Sequence, residues 1–170
     1  LLCDKVRVRR TAVCKTLMDT TYWGFDTDNK RNVTLVLEEL SKVKGIEWIR
    51  LMYAYPSRFP VDLIDTIKNT ENICKYLDMP VQHISDNVLK SMRRGITNKT
   101  SMGLFDKLRT EIPEIALRTT FITGYPDETE QDFQQLLDFV KEFKFERLGV
   151  FPYSHEEGTS AFEIPDRIPM

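Results

Sequence analysis

Four short stretches of the chain carry side chains able to hold or transform a ligand. Residues 53–55 are Tyr-Ala-Tyr, Gln82 and His83 stand together, residues 124–128 run from a glycine to a glutamate, and residues 153–155 are Tyr-Ser-His. Gln82 and His83 can each donate and accept hydrogen bonds, which suits a ribose or a carboxylate. Gly124 lets backbone approach a flat ligand closely, and helix-start amides behind it can hold polar ligand atoms. Glu128 can accept from a ribose hydroxyl or complement a helix start. Tyr153 and His155 can close a pocket; a His155–Glu156 acid/base pair is conceivable, but sequence neighbours rarely aim at one point. Each feature also has a plainer reading. Gly124 makes a good strand-to-helix turn, and His83 can be a satisfied histidine beneath a loop. Lys90, Arg93, Arg94, Lys99, Lys107 and Arg109, opposed by Asp106, read first as a solvated helix face, with an acidic or nucleic-acid partner as the minor alternative.

The cysteines matter by their spacing. An iron–sulfur cluster with one open iron wants three closely spaced thiolates on one loop, and Cys3, Cys14 and Cys74 offer none. Cys74 lies in a predicted strand and reads as a buried small hydrophobe. The sequence contains no P-loop, no G-x-G-x-x-G, no C-x-x-C and no G-x-S-x-G.

These stretches need elements to position them. Apolar spacing predicts helices around Val33 to Val43, closed by Gly45, and around Val61 to Ile67 after Pro60. Further helices are predicted from Val88 to Met92, from Leu104 to Ile112, and from Phe133 to Phe143. Ser85 or Asp86 is placed to cap the third, and Thr129 with Asp132 resembles a capping box for the last. Bulky and β-branched runs predict strands over residues 46–53, 73–79, 115–122 and 147–153. Strand and helix alternate, which argues parallel βαβ units. In such sheets ligands bind at the carboxyl ends of the strands, where all four stretches fall. Together they would ring one pocket.

Composition sets the class. The 170 residues fit one domain of ordinary globular character, 41% apolar and 29% charged. A net charge of −2 speaks against a polybasic nucleic-acid binder, no apolar run approaches the ~18 residues of a membrane span, and no disulfide framework is present. The expected setting is a reducing cytoplasm. Residues 1–18 carry five basic side chains against Asp4, and residues 161–170 read as a linker toward something further on, so the chain looks like an excerpt.

The segments 19–24, 47–56, 74–95, 118–130 and 145–161 resemble the central domain of the radical S-adenosylmethionine (SAM) methylthiotransferases. The stretch Phe-Glu-Arg-Leu-Gly-Val-Phe-Pro-Tyr-Ser-His-Glu-Glu-Gly-Thr, residues 145–159, is the most specific match. Asp19-Thr-Thr-Tyr22, the Trp48-Ile-Arg run with Tyr53-Ala-Tyr-Pro56, and Gln82-His83 are similar to the branch that modifies a ribosomal protein. The tRNA-modifying branch typically has a Gln-Ser-Gly-Ser type sequence where this chain has Gln82-His-Ile-Ser85.

The resemblance implies an α/β fold, a partial (β/α) TIM-like barrel of the radical SAM type. Residues 19–160 form its core, after an unmatched basic segment (residues 1–18) and before a linker (residues 161–170) to an absent C-terminal domain. It implies SAM and 4Fe–4S clusters as cofactors, and methylthiolation of an aspartate β-carbon in small-subunit ribosomal protein S-twelve as the reaction. An electron donor is a further partner; no membrane and no clear nucleic-acid site are implied. Carried over, Asp19, Thr20 and Thr21 flank the amino group of SAM and Gln82 and His83 lie near its ribose or methionine atoms. Gly124 to Glu128 lie near adenine and ribose, and Tyr153 lies at the adenine end. The C-x-x-x-C-x-x-C loop of the family is not in the sequence. The chain is therefore expected to lack the first strand and cluster loop, to be inactive as it stands, and to self-associate through an exposed sheet edge. The alternatives are a tRNA adenosine methylthiotransferase, a non-catalytic remnant binding SAM or a ribosomal partner, and an acid/base barrel enzyme using His83 and Glu128.

Overall fold

Four parallel strands in the sequential order β1-β2-β3-β4 form the frame of the computed structural model, which describes residues 33–57 and 59–164. The elements are α1 (Val33–Ser41), β1 (Ile49–Leu51), α2 (Asp62–Asn69), β2 (Ile73–Asp78), α3 (Asp86–Ser91), α4 (Asn98–Glu111), β3 (Ala116–Thr123), α5 (Glu130–Phe143) and β4 (Arg147–Pro152). A parallel sheet built in chain order with right-handed crossovers carries its helices on one face, which is the wall of a (β/α) barrel. The expectations about Asp19, Thr20, Thr21, the basic segment and a missing first strand lie outside the described residues.

The helix-side face is the core. Ile49, Leu51, Ile73, Leu77, Leu117 and Phe121 project from the strands and are buried with Leu63, Ile67, Phe105 and Leu108 of α2 and α4. Phe105, Phe121, Phe139, Phe143 and Phe145 stack with ring centroids 4.4–6.2 Å apart, joining α4, β3 and α5. Edge-to-face contacts of this kind add directionality to apolar burial.

Local chemistry explains where the boundaries fall. The predicted capping box of α5 is present: Thr129 Oγ1 accepts from the Asp132 amide at 3.2 Å, and the Thr129 amide donates to Asp132 Oδ2 at 3.0 Å. The shorter aspartate still reaches. β1 is three residues, shorter than its eight-residue apolar run. At its start, the Asn72 side chain captures the Ser41 and Ile46 carbonyls; past its end, Tyr53 takes φ +62, outside the strand region. Ser85 occupies the N-cap position of α3, but its hydroxyl bonds Asp132 rather than the helix. Asp86 Oδ1 instead accepts from the Asn98 amide at 2.5 Å, tying α3 to the start of α4. Cys74, expected to be buried, is half-exposed, because alternation along β2 turns it to the face opposite the helices.

Candidate functional site

A hollow of about 290 Å³ opens at the carboxyl ends of β2, β3 and β4. Its walls include Gln82, Ser91, Arg94, Tyr125, Tyr153 and Ser160. Gln82 reaches it through an uncommon backbone. The chain leaves β2, takes φ +74 at Gln82, and forms one further parallel bridge to β3. There the Gln82 amide donates to the Thr120 carbonyl at 2.9 Å, and the Ile122 amide donates to the Gln82 carbonyl at 2.8 Å. A left-handed non-glycine residue costs on the order of 1–3 kcal/mol and persists only where its surroundings fix it. Tyr153 is placed similarly, its amide donating to the Thr123 carbonyl at 2.8 Å, one residue past β4. The Tyr125 and Tyr153 rings meet edge to face at 5.2 Å, and the Tyr153 hydroxyl is buried with no hydrogen-bond partner among the described residues.

Beneath this wall a buried polar layer holds the loops. Glu128 Oε2 accepts from the amides of Gly124 at 2.6 Å and Tyr125 at 3.1 Å, closing the turn after β3. Gly124 sits at φ +78 in that turn, and a Cβ there would meet no atom within 4 Å. Conformation, not space, demands the glycine. His83 is fully buried. Its Nδ1 accepts from the Ser85 amide at 3.0 Å, so the ring proton sits on Nε2, 3.7 Å from Glu128 Oε1. Asp132 accepts from the hydroxyls of Ser85 and Thr129. Burial pushes its carboxyl up, but these hydrogen bonds, with the Thr129 amide, outweigh burial and hold it below the usual range.

Arg94 braces the opposite wall. Its guanidinium donates to the Pro80 carbonyl at 2.8 Å and lies 4.6 Å from the Tyr55 ring centroid, while the Tyr55 hydroxyl donates to the Arg94 carbonyl. Ser91 donates to Asp127 at 2.8 Å, tying α3 to the 124–128 turn.

The structure thus sorts the residues singled out from sequence. Gln82 and Tyr153 share one hollow, with Gly124 at its edge through Tyr125. His83 and Glu128 face each other below the surface, and His83 Nε2 and Glu128 Oε1 have no hydrogen-bond partner among the described residues. His155 stacks between Tyr153 at 5.2 Å and Phe162 at 5.5 Å, and no pairing with Glu156 occurs among the described residues. The basic run is only partly a solvated face: Arg94 is engaged as described, and Arg109 packs over Phe143 and bonds Glu146 at 3.1 Å. Tyr125 falls within the expected 124–128 stretch, whereas Ser91 and Arg94 as pocket walls were not legible beforehand, Arg94 being hidden inside the basic run. Among the described residues no group of three His, Cys, Asp or Glu side chains is placed to hold a metal, and no helix is long and apolar enough to cross a membrane.

Comparison with known proteins bears on this geometry. A protein of Chloroherpeton thalassium named ribosomal protein uS12 methylthiotransferase RimO is 51% identical over 99% of this chain, and one of Christiangramia forsetii with the same name is 53% identical over 89%. The chain spans 39% and 34% of the length of these two relatives. Among solved structures, the radical SAM enzyme coproporphyrinogen III oxidase (HemN) of Escherichia coli superposes with a TM-score of 0.58 at 22% identity. It matches 73% of this chain and 28% of that one. SuiB of Streptococcus suis, bound to its precursor peptide SuiA, gives 0.51 at 18% identity, with 88% and 29% covered. Both likenesses are of fold. The sequence of residues 16–140 matches the profile of the Radical SAM superfamily, and with a parallel barrel wall and a hollow at its strand tips, the chain belongs to that superfamily.

Proposed function

We propose that this chain is the cofactor-binding wall of a radical SAM methylthiotransferase that adds a methylthio group to an aspartate β-carbon of ribosomal protein uS12. One observation carries the reading: identity of 51–53%, over most of the chain, to relatives named for that activity. An electron donor and uS12 would be the partners, and the cytoplasm the setting. Residues 19–160 would form the core, with residues 1–18 and 161–170 as flanking segments. Asp19, Thr20 and Thr21, in the family-like segment before α1, would flank the SAM amino group.

Family membership implies SAM and 4Fe–4S clusters. The residues around the hollow fit SAM. Tyr125 and Tyr153 supply flat aromatic wall, Gln82 supplies a donor and an acceptor, and the buried Tyr153 hydroxyl has no partner among the described residues, as a group awaiting a polar ligand would. The volume stands at the lower edge of the roughly 300–1,000 Å³ of small-molecule sites, enough for part of such a ligand. The described residues do not fit a cluster, Cys74 being the one cysteine among them and lying within β2. Bound SAM, given one electron by a 4Fe–4S cluster, would supply the hydrogen-abstracting chemistry. The chain's own part is to bind and orient. Gln82 and Tyr153 would engage the adenosyl end, and Gly124 and Tyr125 would bring backbone and ring against adenine. His83 and Glu128 would keep that turn in place rather than touch the ligand.

Calorimetric titration with SAM tests this. Wild type should bind, and Gly124→Val should not, because a β-branched residue is strained at φ +78. No heat from wild type removes the binding claim. Mass spectrometry of uS12 and tRNA, after reaction with the longest natural form of the protein, assigns the substrate. A methylthio mass gain on tRNA alone would overturn the uS12 assignment.

A further inference from the structure

The sheet face turned away from the helices carries an arginine row that the hollow does not use. Asp78, Arg118 and Arg147 are successive cross-strand partners on β2, β3 and β4, so their side chains share a face. Tyr76 stands two residues before Asp78 and shares it too. Arg50 lies between Ile49 and Leu51, both buried toward the helices, so it projects to this same open face. Contacts agree. Arg118 pairs with the nearly buried Asp78 at 2.8 Å, and the Arg50 guanidinium lies 4.7 Å from the Tyr76 ring centroid. A Cβ at Gly149 would stand 3.9 Å from Arg118 Nη2 and 3.5 Å from the Phe151 ring, so the missing side chain leaves this strip open. Burial and the Asp78 carboxylate push the Tyr76 phenol up, which Arg118, Arg50 and Arg147 offset only in part. Three arginines thus share this face with one carboxylate. Arg50 and Arg147 are exposed, and no ion pair holds either among the described residues.

We propose that this face binds the carboxylate side chains of an acidic peptide segment. The planar guanidinium fork matches a carboxylate, and one nitrogen of Arg118 already donates to Asp78. The exposed ring of Phe151 and the half-buried ring of Tyr76 border the arginines, offering apolar contact to a peptide between its charges. A nucleic acid is the poorer match. Tracking a phosphate backbone takes a longer cationic stripe, whereas this patch has three arginines in a chain of net charge −2. Position adds reach. Arg118, Thr120 and Ile122 share this face of β3, and Ile122 lines the hollow, so the row lies about 13 Å from the cofactor wall, roughly four extended residues. The inference rests on the proposed function only in taking a polypeptide as the bearer of the carboxylates.

Fluorescence anisotropy of the full chain with a labelled peptide of alternating Gly and Asp tests it without cofactor, so failure leaves the SAM reading untouched. Peptide binding that weakens with added salt is expected, with the Asn counterpart binding at least tenfold more weakly. Arg50→Gln/Arg147→Gln should lose tenfold or more, Arg147→Lys less, and Lys107→Gln on the outer helix nothing. Circular dichroism checks the fold, and the exposed single variant Arg147→Gln replaces the double one if that one unfolds. Absent binding, equal binding of the Asp and Asn peptides, or wild-type affinity in the arginine variants overturns the proposal. So does tighter binding of an oligo-dT of matched charge, which would make the face a nucleic-acid surface.

Discussion

Replacing Glu128 separates a wall-holding role from a ligand-contacting one. In the fold its Oε2 takes two amide hydrogens, from Gly124 and Tyr125. Glu128→Ala removes both bonds. Gly124 is an exposed residue whose part-buried amide can turn to water and recover part of its loss, whereas Tyr125 is buried and its amide is stranded. A bond to a charged group is worth about 1.5–3 kcal/mol, and a stranded buried donor costs about 1–3 kcal/mol, so the sum is about 2–4 kcal/mol after partial recovery. For a chain of this size each kcal/mol moves the midpoint by about 2–4 °C, giving a fall of roughly 4–16 °C. Glu128→Gln keeps an acceptor without the charge and should lose about half as much. The assay is paired: thermal or urea unfolding for stability, and calorimetry for SAM. Stability should fall in both variants, and affinity should fall only as far as the turn loosens. If Glu128→Ala unfolds within about 1 kcal/mol of wild type while SAM binding collapses, the carboxylate meets the ligand and does not merely hold the turn.

Three other outcomes follow from the same geometry. Asp132 has its carboxyl held below the ordinary value in the fold, so its stabilising effect is complete above about pH 4 and is lost as pH falls through the folded value. Urea midpoints of wild type should therefore drop below pH 4 more steeply than those of Asp132→Asn, and parallel slopes would contradict this. Gln82→Gly relieves a left-handed backbone and should raise stability by about 1 kcal/mol while weakening SAM binding; lowered stability would mean that Gln82 is not strained. Leu148, Val150 and Phe151 of the edge strand β4 are 40–56% exposed, so the chain should self-associate on size exclusion, and Val150→Lys should shift it toward monomer. A wild-type chain that elutes as a monomer at all concentrations would refute the edge argument.

The order of elements and the capping box at Thr129 were readable from sequence because both are local. Helical and strand periods, breaking prolines and a three-residue cap spacing are set by near neighbours. The rim was readable for a related reason: once strands alternate with helices, whatever follows each strand falls at the carboxyl end. Tertiary structure decided which rim residues face outward. His83 and Glu128 follow strands just as Gln82 and Tyr153 do, yet they turn inward. The histidine satisfies the Ser85 amide, and the glutamate satisfies the amides of the following turn. The same holds for Arg94, whose partners Tyr55 and Pro80 are 39 and 14 residues distant. It holds again for Arg50, Arg118 and Arg147, scattered over 98 positions and gathered only by strand register. A linear pattern reports the period of a strand. Which residues of neighbouring strands stand side by side is decided by hydrogen-bonded register, and that exists only once the sheet has formed.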